Sequence, residues 1–132
     1  MVSKAFIKLT ILFLFCCILQ LQAQEKPYNG NPDTSFETAR QLAFNQQRKQ
    51  AQDTLIHILT KYPNYHEIRS FLATTYSWDG EYKKARKEFN FVIDKAPNNK
   101  ENWVAAIKNE SWANAPYEAI EMSNAALKNF PK

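Results

Sequence analysis

Residues 69–89 read RSFLATTYSWDGEYKKARKEF. Phe71, Leu72 and Tyr76 recur at helical spacing, Asp79-Gly80 interrupts the pattern, and a second helical run carries Ala85 and Phe89. The stretch therefore predicts two helices joined by a tight turn. Shifted by 34 residues, it finds itself again in both directions. Pro63, Pro97 and Pro131 share that spacing, as do Ala51, Ala85 and Ala119. Leu55 pairs with Phe89, Ile58 with Val92, and Ser77-Trp78 with Ser111-Trp112 in the same way. Several independent registers agreeing on one period is the signature of a repeat array.

Working outward, the array divides into units 32–65, 66–99 and 100–132, and period-two strand signals are absent. The expected helices span about 33–45 and 47–61, 66–78 and 82–95, and 100–112 and 116–129. Asn31 and Asn99 are candidate caps, and Pro32 and Pro116 suit the first turn of a helix. Ala51, Ala85 and Ala119 let the two helices of a unit approach closely. The prolines end each second helix. One pair cannot bury its apolar face alone, so the units must stack. The fold expected is all-α: an α-solenoid of three antiparallel helix pairs, preceded by a signal peptide.

The signal peptide is read at residues 1–23. Lys4 and Lys8 precede the apolar run Leu9–Leu19, which is about half the ~20 residues a spanning helix needs, and Ala23 offers a small residue for cleavage. Both cysteines, Cys16 and Cys17, fall inside the run, and Leu14-Phe15 ahead of Cys16 does not resemble a lipoprotein box. Of the 132 residues and net charge of +4, cleavage would leave 109 residues, a charge of +2 and no cysteine. That excludes disulfides, zinc–thiolate sites, iron–sulfur clusters and a thiol nucleophile, and gives no electrostatic argument for nucleic acid. Residues 24–31, QEKPYNGN, read as a flexible lead-in.

The middle unit, with Leu72-Ala73, Tyr76, Gly80, Tyr82, Ala85, Phe89 and Pro97, resembles the tetratricopeptide repeat (TPR). The third unit keeps Trp103, Ala119, Ala126 and Pro131 but has Ile107 in place of a small residue and Glu110 in place of tyrosine. The first keeps Ala39, Ala51 and Pro63, with Leu42 at the tyrosine position. The resemblance implies a concave groove lined by the first helices. Its positions fall on Asp33, Phe36, Arg40, Ala43 and Phe44, on Glu67, Ser70, Thr74, Ser77 and Trp78, and on Glu101, Val104, Lys108, Ser111 and Trp112. Phe44, Trp78 and Trp112 form one column. As an aromatic ladder flanked by Ser77 and Ser111, it could anchor a peptide or stack on sugar rings, or it could pack between repeats as core. The binding residues expected are Phe36, Arg40, Phe44, Ser77, Trp78, Lys108, Ser111 and Trp112. Residues 69–89 also look like the repeat region that precedes the barrel in YaiO-like outer-membrane β-barrel proteins, and similar repeats occur in periplasmic scaffolds of exopolysaccharide export.

Catalytic chemistry is not expected. The fragment His66-Glu67-Ile68-Arg69-Ser70 begins like a zinc-protease motif but has serine where the second histidine must stand. His57 has no carboxylate cluster in reach by spacing. No nucleophile elbow, phosphate loop or dinucleotide fingerprint is present, so no cofactor or metal is expected. The cluster Lys83, Lys84, Arg86, Lys87 reads as a solvated face with an ion pair such as Lys84–Glu88.

The sequence stops at a repeat boundary, one residue past Pro131. That suggests continuation into a longer protein such as an outer-membrane β-barrel, with dimerisation or partner docking through that end as alternatives. The functional expectation is a periplasmic, exported TPR scaffold that binds a protein or peptide partner in the envelope. The alternative is a glycan-binding module in polysaccharide export or envelope assembly.

Overall fold

The computed structural model describes residues 26–131, and the leader expected at residues 1–23 lies outside them. Among the described residues there are six helices and no strand: α1 Pro32–Phe44, α2 Arg48–Lys61, α3 His66–Trp78, α4 Tyr82–Lys95, α5 Lys100–Trp112 and α6 Pro116–Asn129. First helices have 13 residues, second helices have 14, and every boundary recurs after 34. None of these helices is long and apolar enough to cross a membrane.

Local chemistry places the boundaries. The Asn31 side chain accepts from the Thr34 N–H at 3.0 Å, and Asn99 accepts from the N–H groups of Glu101 and Asn102. Both satisfy donors that a helix start leaves free. Within each pair the chain reverses through one left-handed residue: Gln46 (φ 65°), Gly80 (φ 74°) and Asn114 (φ 54°). The following N–H, from Gln47, Glu81 or Ala115, donates to the carbonyl of Leu42, Tyr76 or Glu110 at 2.9, 2.9 and 3.0 Å. The N–H groups of Gln46, Gly80 and Asn114 reach Ala43, Ser77 and Ser111 at 3.2 Å. This is the Schellman closure, made three times. The proline turns are fastened alike: Arg69 Nε donates to the Pro63 carbonyl at 2.9 Å, and Trp103 Nε1, one repeat later, to that of Pro97 at 2.8 Å.

Each helix packs on its sequence neighbours, and α3 also touches α5. The connections within pairs are so short that partners run antiparallel. Ala39, Ala51, Leu55, Ile58, Ala73, Ala85, Phe89 and Val92, positions that the sequence marks, are buried, and so is Ile68. A buried leucine, isoleucine or phenylalanine contributes roughly 1.5–3 kcal/mol. Burial thins toward the last pair, and no residue of α6 is buried.

Two details depart from expectation. Residues 24–31 read as a flexible lead-in, yet Tyr28 is buried against α2. Its ring meets His57 edge-on at 5.3 Å and Tyr62 at 6.1 Å, and its hydroxyl donates to Ser35 Oγ at 2.8 Å. A Cβ on Gly30 would lie 2.8 Å from the Tyr28 hydroxyl, so a larger residue there would have to displace that side chain. His57 on α2 lies 2.8 Å through Nε2 from the Lys26 carbonyl oxygen. Finally, Lys84 pairs with Glu81, while Glu88 pairs with Arg69 of α3.

Candidate functional site: a groove between the third and fifth helices

The first helices face one another through two junctions. At the α1–α3 junction, Phe71 stands between the helices. Its ring lies 5.7 Å from Phe36, 6.2 Å from Phe44 and 6.1 Å from Trp78, centroid to centroid. The Arg40 guanidinium sits 5.7 Å from the Phe36 ring and 5.8 Å from that of Phe71, a cation–π arrangement that covers the cluster. This junction is filled by its own side chains.

The α3–α5 junction is open. A groove of about 580 Å³ is walled by Trp78, Ser77 and Thr74 on α3 and by Val104, Lys108 and Trp112 on α5, with Phe89 and Ala105 at its base. Lys100 and Glu101 complete one end. Trp78 and Trp112 are 40% and 53% exposed, much more than a core aromatic. Beside the groove, Ser70 donates to Asn102 Oδ1 and ties the two walls together. The Ser77 hydroxyl is buried and has no hydrogen-bond partner. Neither Lys100 nor Lys108 forms an ion pair among the described residues.

Ser77, Trp78, Lys108 and Trp112 thus meet in one groove. Phe36, Arg40 and Phe44 belong to the other junction, where Phe36 is buried beneath Arg40 and Phe71 while Phe44 is 63% exposed with its ring 5.9 Å from Trp78. Ser111 lines neither; its hydroxyl donates to the Ile107 carbonyl at 3.1 Å. Trp78 is the shared post, with Phe44 and Phe71 against it in one junction and the groove in the other. Absent from the sequence expectation are Lys100, Phe89 and Ala105. The last had a signal in the repeat register, because it stands 34 residues after Phe71.

Among the described residues no group of three or more histidines, cysteines or carboxylates gathers around a point where a metal could sit. No known protein family matches the chain's sequence, and neither does any curated protein.

Proposed function

We propose that the chain is a TPR-type repeat module, exported to the cell envelope by its leader, which binds a protein partner in the groove between α3 and α5. The 34-residue recurrence of helices, left-handed turns and proline fastenings supports the TPR reading. The observation that carries the binding role is the open groove itself. It is concave, mostly apolar and flanked by two exposed indoles, whereas the preceding junction of the same kind is filled. Tryptophan in such a setting supplies large contact area at low entropic cost. A glycan is the second reading, favoured by the indole faces of Trp78 and Trp112. The few hydrogen-bonding groups around the groove favour the peptide.

Two measurements test this. Subcellular fractionation should recover a chain shortened by its leader in the periplasm. Trp78→Ala and Trp112→Ala should each lose the partner while the melting temperature changes by only a few degrees. If both variants keep every partner and melt many degrees lower, the indoles are structural and the binding role is wrong.

A further inference from the structure

Aligned by repeat register, the first helices differ informatively at one column: Glu37, Phe71 and Ala105. Phe71 is the ring that fills the α1–α3 junction, touching Phe36, Phe44 and Trp78 beneath the Arg40 guanidinium. One repeat later Trp78 stands in place of Phe44 and Trp112 in place of Trp78, while Ser70 replaces Phe36 and the ring becomes the methyl group of Ala105. The groove lies where that ring is missing. The cation that Arg40 supplies from one wall of the first junction is supplied from the opposite wall of the second by Lys108.

The chain therefore contains a template of what its groove accepts. Resting on the peptide-binding reading above, we infer that the occupant is an aromatic side chain of a partner segment, with carboxylates next to it in sequence. The ring takes the place at Ala105 that Phe71 takes one repeat earlier, against the indoles of Trp78 and Trp112. Carboxylates flank it because the groove carries two unpaired ammonium groups, Lys100 at one end and Lys108 in the α5 wall, against one carboxylate, Glu101. The unpartnered hydroxyl of Ser77 leaves one hydrogen bond for the segment. The volume of about 580 Å³ holds a ring together with part of the adjoining backbone.

The test pans a phage-displayed library of random heptapeptides on the full chain, then titrates the selected peptides by tryptophan fluorescence. Selected peptides should share one Phe, Tyr or Trp beside Asp or Glu, and replacing that ring by alanine should weaken binding by about tenfold or more. Ala105→Phe should seal the groove as Phe71 seals the other, abolishing binding with the helical circular-dichroism signal retained. Should that variant misfold, Lys108→Glu, on an exposed position, should still weaken acidic peptides by about tenfold. Peptides selected without an aromatic residue, or folded Ala105→Phe binding as well as the parent, would overturn the aromatic occupant. If Trp112→Ala still loses those peptides, the groove reading survives that failure. No peptide selected, with a neutral oligosaccharide quenching the same fluorescence, would overturn both the inference and the peptide reading in favour of the glycan.

Discussion

Arg86 on α4 grips Glu110 on α5 through both carboxylate oxygens, with Nε 2.9 Å from each and Nη2 also donating. The Glu110 side chain is 1% exposed, and Asn109 Nδ2 adds a further hydrogen bond at 3.1 Å. Hydrogen bonding to Glu110 raises the Arg86 pKa above its already high ordinary value. The residue one repeat before Arg86 acts similarly: Gln52 Nε2 donates to Asp79 at 2.8 Å, and Arg48 joins it. In both cases a polar residue early in a second helix holds a carboxylate of the following pair. Arg86→Ala leaves a buried carboxylate without its cation. We expect a loss of about 2–4 kcal/mol, lowered by the partial exposure of Arg86 from the 3–5 kcal/mol typical of fully buried pairs. The double replacement Arg86→Met with Glu110→Leu should recover most of it. Urea denaturation of the single and double variants checks both, and equal losses in the two would refute the assignment.

The three left-handed turns make a second prediction. Gly80 has no atom within 4 Å of where a Cβ would be, so Gly80→Ala costs only conformational energy, about 1 kcal/mol. Gln46 occupies the same conformation with a side chain that disfavours it. Gln46→Gly should gain roughly 0.5–1 kcal/mol, because relief of strain exceeds the added freedom of the unfolded chain. Asn114→Gly should be nearly neutral, since asparagine tolerates this region. Thermal melts would show the order, and a destabilised Gln46→Gly would contradict it.

Tyr28 provides the third. Removing its ring with Tyr28→Ala should cost about 3 kcal/mol, as for other large buried aromatics. Tyr28→Phe loses only the hydrogen bond to Ser35, about 1 kcal/mol. Hydrogen exchange at Ser35 should rise in the alanine variant, and an unchanged melting temperature would mean that the segment around Tyr28 contributes nothing.

The fourth concerns alkaline pH. Burial raises the Tyr76 pKa, partly opposed by Lys84, whose ammonium lies 5.3 Å from the Tyr76 ring. A folded-state pKa above the unfolded value means that the native state holds its proton longer. The contribution is complete below about pH 10 and is lost as pH rises through the raised folded value. Tyr76→Phe should therefore flatten the fall of stability above about pH 10 relative to the parent. Parallel slopes in denaturant titrations would refute this.

Much of this architecture is visible in the residues. The 34-residue period with Asn31, Asn99, Pro32 and Pro116 places α1 within one residue at both ends and α3 through α6 without error. Gln46 and Asn114 look like ordinary polar residues, and only their register with Gly80 reveals the left-handed turns. Spacing along α4 suggests Lys84–Glu88, but Glu81 at the helix start is at least as near Lys84 in sequence and takes it. Arg69 and Glu110 enter from neighbouring helices that no local pattern shows. For the same reason a tyrosine in a polar lead-in gave no sign of its place against His57. The column Phe44–Trp78–Trp112 was readable from the repeat. Which junction was open depended on an alanine, Ala105, a residue type that attracts no notice except beside Phe71.

The uneven burial of the three pairs also bears on how the molecule comes apart. Leu55, Ile58, Phe89 and Val92 lie fully inside, while α6 has no buried residue and packs mainly on α5. In an array whose units hold only their neighbours, each additional pair is a separable increment of free energy. Such a chain unzips from its weaker side before the rest yields. Amide exchange should follow that slope, fastest in α6 and slowest along α2 and α4. A single melting temperature would then average over events that are not simultaneous.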